Sequence, residues 1–382
     1  FEEALATGGG VASLVNITRL KLATLDLAGA RDSLERLERA APDFAQLAAL
    51  RGWLADLEGD PVGARRELMR AIEIDPADSR SLTRLGHLEE VAGRIDEAER
   101  LYREAVRTDP ENAEAFNYLG NVLRATGRMD AAEEAYRAAV EADPRSPGGI
   151  NNLGLMLLRA GRVEEAVALY RSGLGHVPGS ALLRNSLAAA LLRTGDAGAA
   201  EAEARLAIEA APDLVEARNN LGIALAEQGR AREAAETFGR AVEIDPRDYD
   251  GWFNLGRVRL LLGEREGALD GFERASSLRP DRFDAAVGAA ETARALGRTD
   301  VARRHYERAA AIRPDSERVA RRLEELGINR FAERIDVDIR PDTHGTWEPL
   351  PDNRSRWHIT IASAGAVSLN LGFGRYRMPD GG

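Results

Sequence analysis

Proline recurs at Pro42, Pro76, Pro110, Pro144, Pro178, Pro212, Pro246, Pro280 and Pro314, each 34 residues after the last. Counting each unit from the position 31 residues before its proline gives nine abutting units, beginning at residues 11, 45, 79, 113, 147, 181, 215, 249 and 283. The remaining columns then align without gaps. Position 20 is Ala30, Ala64, Ala98, Ala132, Ala166, Ala200, Ala234, Ala268 and Ala302, and position 8 is glycine in six units. A fixed period of this length is the mark of a chain built from stacked copies of one supersecondary unit.

Residues 113–145 show what that unit is. Phe116, Leu119, Gly120 and Leu123 share one helical face, and Ala132, Tyr136 and Ala139 share another. Gly127 lies between the two runs at position 15, where glycine also stands in the seven other units from Gly59 to Gly297. A helix that must stop and reverse calls for a residue free to take the left-handed conformation. The proline closes the second helix and drives the residue before it toward extended geometry. Small residues at positions 8 and 20 are expected where the two helices cross, and the position-24 residues Tyr102, Tyr136, Tyr170, Phe238, Phe272 and Tyr306 are expected to fill the gap between units.

With a small residue at 8, Ala at 20, an aromatic at 24 and Pro at 32 in register, residues 11–316 resemble the tetratricopeptide repeat family. The resemblance implies an all-α fold, a right-handed α-solenoid of nine helix-turn-helix units, with the first helices lining a concave surface. Residues 1–10 are a remnant or lead-in before the repeats, and residues 317–327 form a capping helix with Val319, Leu323 and Leu326 on its apolar stripe. The first unit departs from the pattern at Thr18 and Lys21, and the last has Ala286, Ala289, Ala290 and Ala293 in its first helix. Both terminal units are expected to be looser than the middle ones.

From Ile328 the periodicity turns from helical to alternating. Ile335, Val337 and Ile339, then Trp357, Ile359 and Ile361, then Val367, Leu369, Leu371 and Phe373 predict three strands. Residues 328–382 are therefore expected to be a short, incomplete β segment, the start of a domain continued beyond Gly382. The run from His344 to Glu348, Trp357 and the run from Ser363 onward resemble the non-catalytic N-terminal region of secreted bacterial serine peptidases of the lysyl-endopeptidase type.

Composition narrows the function. The net charge is −11 with no clustered cationic surface, which argues against a nucleic-acid partner. No apolar run approaches the ~20 residues of a membrane span, so no membrane insertion is expected. The lack of cysteine excludes disulfides and thiolate chemistry, and it leaves the redox compartment open. The cytoplasm is the default location; the periplasm or the exterior follows from the peptidase resemblance, since a leader before Phe1 would be out of view. The single lysine among 52 basic residues fits a GC-rich bacterial genome.

No metal or cofactor site is expected. His87, His176, His305, His344 and His358 have neither metal-ligand nor triad spacing, and the glycine-rich stretches lack the lysine and helix of a phosphate loop. The acidic pairs Glu133/Glu134 and Glu164/Glu165 mark a solvated face. The sequence thus shows no enzyme active site.

What remains is the polar side of the first helices. A helical wheel directs positions 2, 5, 9 and 12 away from the core, with 6 and 13 on the shoulder. There lie Asn117, Asn121, Asn151, Asn152, Asn185, Asn219, Asn220 and Asn254, with Asn16 further out, and Arg80, Arg84, Arg124, Arg159, Arg193 and Arg257. Asparagine is a mediocre helix former, so its concentration on one side calls for a cause. An amide both donates and accepts, matching the alternating groups of an extended peptide main chain. The reading is a protein-protein interaction scaffold whose Asn/Arg-lined groove binds an extended peptide or partner tail. Two alternatives stand beside it. In one the amides tie neighbouring helices together. In the other the chain recruits substrates for a larger enzyme, a serine peptidase or an O-linked glycosyltransferase, whose catalytic domain lies outside it.

Overall fold

The computed structural model describes residues 10–42 and 44–326 and two strands at 346–349 and 355–358. It divides into two units, residues 1–246 and 247–382.

The first unit holds seven helical hairpins in chain order. They are α1 (Gly10–Ala23) with α2 (Leu27–Ala40), α3 (Ala45–Leu57) with α4 (Pro61–Ile74), and α5 (Ser79–Val91) with α6 (Ile95–Thr108). Next come α7 (Ala113–Ala125) with α8 (Met129–Ala142) and α9 (Pro147–Arg159) with α10 (Val163–His176). The last two are α11 (Ala181–Thr194) with α12 (Ala197–Ala210) and α13 (Val215–Glu227) with α14 (Ala231–Ile244). The second unit holds α15 (Tyr249–Leu261) with α16 (Arg265–Leu278), α17 (Phe283–Ala295) with α18 (Thr299–Ile312), and the single helix α19 (Glu317–Glu325). Odd-numbered helices up to α17 are the first helices of their hairpins.

Local signals end each helix where the sequence places the ends. The eight position-15 glycines all have positive φ, between 72° and 81°. The amide after each closes a six-residue bond to the helix before it, as in Arg128 N–H to the Leu123 carbonyl at 2.9 Å. The first hairpin has Leu25 at this position, with φ 59°, the sole non-glycine residue at positive φ among the described residues. Several first helices begin on side-chain caps: the carboxylate or amide oxygens of Asp78 and Asn112 and the hydroxyl of Ser146 each accept from a first-turn amide. Asp143, before Pro144, is extended, with φ −140° and ψ 90°.

Packing places the position-24 ring on the position-8 glycine of its own hairpin and against the next hairpin as well: the Tyr102 ring stacks on Tyr118, with centroids 5.5 Å apart. A methyl group at Gly120 would meet the Tyr136 ring at 2.6 Å, and one at Gly222 would meet Phe238 at 2.6 Å. Glycine is needed there because the ring occupies the space a side chain would take. In the sixth hairpin both columns change together, and Ala188 and Ala204 are fully buried. The position-20 alanines are fully buried in all nine hairpins.

In the first unit each second helix packs on the first helix of the next hairpin, and two further contacts tie the hairpins laterally. First helices of neighbouring hairpins pack side by side in five pairs, from α1 against α3 to α11 against α13, whereas neighbouring second helices make no comparable contact. Second helices are joined instead by ion pairs: Arg162 reaches Glu133 of the preceding hairpin at 2.6 Å, Arg230 reaches Glu201 at 2.6 Å, and Arg128 holds Glu99. The acidic positions read as a solvated face are therefore divided. Glu134 and Glu164 are exposed, while Glu133 is half-buried and bonded to both Arg137 and Arg162. The lysine at position 11 of the first hairpin is also satisfied: Lys21 Nζ donates to the Gly29 carbonyl and the Ser33 hydroxyl, both at 2.9 Å.

In the second unit Val319 and Leu323 of α19 are buried against a cluster that includes Ala290, Ala293, Tyr306 and Ala309. The strands 346–349 and 355–358 pair antiparallel, Trp347 opposite Trp357. The latter strand overlaps one predicted from the sequence, and the former was expected as loop. The predicted strands at 335–339 and 367–373 lie outside the described residues, as do residues 1–9 and most of the stretch resembling the peptidases.

Candidate functional site

The polar residues of the first helices are brought together in the first unit by the side-by-side packing of those helices. Position 6 of one hairpin then faces position 5 of the hairpin before it. Asn152 Nδ2 donates to Asn117 Oδ1 at 2.8 Å, and two repeats further on Asn220 Nδ2 donates to Asn185 Oδ1 at 2.7 Å. Between these two links Ser186 Oγ donates to Asn151 Oδ1 at 2.6 Å. At position 9 Asn121 accepts from the Tyr136 hydroxyl at 2.7 Å, and Arg124 Nε donates to that hydroxyl at 3.4 Å. The ring at position 24 thus fills the hairpin with its body and meets the amide face with its tip.

None of the eight asparagines is exposed. Asn219 and Asn254 are buried, with 8% and 9% of their surface accessible, and the other six are half-buried. This corrects the expectation of a solvent-facing column. A helical wheel has only a core side and a water side, whereas here the neighbouring first helix covers positions 5 and 6 laterally. Asn254, in the second unit, accepts from Arg257 Nη1 at 3.3 Å. The linked amides still have capacity in hand: the pair bond leaves a second N–H on Asn152 and the whole amide nitrogen of Asn117 and Asn185, while Asn220 Nδ2 also reaches the Asn185 main-chain carbonyl at 3.4 Å.

The arginines fall into separate groups. Arg193 donates to the Leu158 carbonyl of the preceding hairpin at 2.8 Å. Arg159 and Arg80 are exposed. Arg257 lies 6.0 Å from the Phe253 ring. Arg84 stacks on Trp53, its guanidinium carbon 3.7 Å from the ring centroid.

Arg80 and Arg84 belong, with Asn16, to a cleft apart from the linked amide pairs. It spans the first four first-helices, has a volume of about 450 Å³, and is lined by Asn16, Arg19, Leu20, Gln46, Leu50 and Trp53 together with these two arginines. Its residues occupy the same columns singled out in the sequence: Gln46 and Arg80 at position 2, Arg84 at 6, Arg19 and Trp53 at 9. An arginine and an aromatic recurring in those columns was the available signal. Burial lowers the pKa of Arg84, with the charge of Arg80 adding to the effect against Asp56 and Glu114; burial and then Arg80 lower that of Arg19. Among the described residues no group of three or more His, Asp or Glu side chains is arranged to hold a metal ion.

A tetratricopeptide repeat profile matches residues 83–147, 151–215, 219–276 and 262–317, more than half of the chain. Among solved structures the chain is similar to the anaphase-promoting-complex hetero-tetramer Cut9–Hcn1, at 15% identity and a TM-score of 0.53 over 78% of this chain. It spans 59% of the length of that matched chain. A tetratricopeptide repeat protein from Parabacteroides merdae is similar over 66% of this chain and 99% of its own, with 18% identity and a TM-score of 0.50. Likeness at these identities bears on the fold.

Proposed function

Because the chain belongs to the tetratricopeptide repeat family, we propose that it is a protein-interaction scaffold that holds an extended stretch of a partner polypeptide on the face of its first helices. The observation that carries this reading is the amide ladder: linked pairs at Asn117/Asn152 and Asn185/Asn220, with Asn151 and Ser186 between them, at the 34-residue period of the fold. A link holds each amide in one orientation, so its unused donors and acceptors are presented without further ordering. Main-chain recognition requires such regularly spaced, pre-oriented groups and makes no demand on the partner's side chains.

The test is a variant with Asn152, Asn185, Asn220 and Asn254 all changed to alanine. Partner segments are first captured on residues 45–327 and mapped, and one is synthesised. Its affinity for the full-length variant should fall by about tenfold or more, equivalent to ~1.4 kcal/mol. Unchanged affinity in a folded variant would sink the reading and leave the ladder as a tie between helices.

A further inference from the structure

Two core columns lose their large apolar residue together in the second hairpin. Position 7 is leucine in the six hairpins from the third to the eighth, Leu85 to Leu255, and all six are buried. In the second hairpin it is Arg51, which reaches out to pair with Glu38 of α2 at 2.5 Å. Position 4 is Leu14, Leu82, Phe116 and Ile150 in the first, third, fourth and fifth hairpins, and Ala48 in the second. Ala48 and Arg51 both line a cavity of about 200 Å³ where the α2–α3 turn meets α3 and the C-terminal end of α4.

Most of this lining is apolar. Leu47 and Ala48 are buried, Phe44 is half-buried, and Ile74 of α4 is 49% exposed. An apolar void costs stability while it is empty, because its lining has no atoms to pack against. Packing alone gives no reason to keep it, since the side chains found at positions 4 and 7 of the neighbouring hairpins would fill the space.

Charge and size define what fits. No carboxylate is in the lining among the described residues; Arg51 is matched by Glu38, whereas Arg70 is exposed and makes no ion pair among those residues. One unmatched cation beside an apolar void suits a molecule with an apolar body and a single anionic group, and a planar guanidinium can take both oxygens of a carboxylate. An apolar cavity of ~150 Å³ takes up benzene. One of about 200 Å³ therefore has room for one ring or a chain of a few carbons.

We propose that the cavity between α3, α4 and the α2–α3 turn binds a free small organic acid, an aryl or short aliphatic carboxylate, with its body on Phe44, Leu47 and Ile74 and its carboxylate on Arg70. The site shares no residue with the amide ladder or with the cleft at Trp53, and it stands apart from the partner-binding reading of the first helices. Its lining comes from the second hairpin and from the turn that leaves the first, so an occupant ties the two together and makes the stability of that end of the array depend on ligand.

The probe is para-fluorohydrocinnamate, titrated into the full chain and followed by its fluorine NMR line width and by the melting temperature. A ligand of about a dozen heavy atoms should bind with a Kd of about 1 mM or below and raise the melting temperature as its concentration rises. The corresponding amide, with the same body and no charge, should bind about tenfold more weakly. Arg70→Gln, an exposed change, should melt with the parent, weaken the acid by more than about threefold and leave the amide unaffected. Ala48→Leu and Arg51→Leu place in the cavity the side chain that other hairpins carry; each should melt no earlier than the parent and abolish binding of acid and amide alike. Equal binding of acid and amide, full affinity in Arg70→Gln or in Ala48→Leu, a lowered melting temperature in both filling variants, or no saturation below about 10 mM would each overturn the proposal.

Discussion

Consider the amide pair formed by Asn117 and Asn152, and remove its members one at a time and together by substitution with alanine. The structure links them by one bond of 2.8 Å between half-buried side chains, so water can reach whichever amide is left alone. The net worth of such a bond is ~1 kcal/mol. Alanine in a helix is better than asparagine by ~0.6 kcal/mol. Each single variant loses the bond and gains one propensity increment, and so should be less stable than the parent by ~0.4 kcal/mol. The double variant loses the same bond once and gains the increment twice, which leaves it ~0.2 kcal/mol more stable than the parent. The coupling between the two sites is then ~1 kcal/mol, and the sign is distinctive: the double change is milder than either single. A stacked array opens locally, so the measurement is native-state hydrogen exchange of α7 and α9 amides, supported by urea midpoints at constant slope. The Asn185/Asn220 pair, bonded at 2.7 Å, should behave alike. Additive effects, with a coupling within ~0.3 kcal/mol of zero, would mean that the amides are not linked in solution, and pre-orientation of the ladder would lose its basis.

Two further outcomes follow from the helix ends and the ion pairs. Leu25 occupies the turn position held elsewhere by glycine, at φ 59° and 67% exposed, so Leu25→Gly should stabilise the first hairpin. Relief of ~1–2 kcal/mol of left-handed strain outweighs the added chain entropy of ~0.5–1 kcal/mol, and a lowered urea midpoint would contradict this. At Glu201 burial alone would raise the pKa, but bonds from Gln228, Arg205 and Arg230 override it and bring the carboxyl to about 2. A depressed carboxyl contributes stability that is whole above its unfolded value, near 4.5, and is lost as pH falls toward about 2. Acid unfolding of the α12–α14 region should therefore be blunted in Glu201→Gln, which starts less stable at neutral pH; identical acid profiles would remove Glu201 from the inter-hairpin tie.

The repeat, its helix boundaries and its turns were legible in the sequence, because each depends on a residue acting on its own backbone. A glycine at position 15 sets the turn, a proline at 32 extends the residue before it, and Asp78 or Ser146 satisfies first-turn amides within three residues of itself. The capping stripe of Val319 and Leu323 was legible for a similar reason, since an amphipathic face needs no partner coordinates to be recognised. The candidate site was legible as columns and not as an environment. That Asn219 and Asn254 are buried, that Asn152 grips Asn117, and that Arg84 lies on Trp53 depend on how closely one first helix sits beside the next. The ring of Tyr136 resting on Gly120 of its own hairpin depends in the same way on a crossing within the hairpin. A helical wheel carries one angle per residue and no distance to a neighbouring helix. Lateral coverage, which turned a presumed water-facing column into a hydrogen-bonded ladder and left the cleft at Arg80 open, is settled by side-chain volumes meeting across helices far apart in the chain.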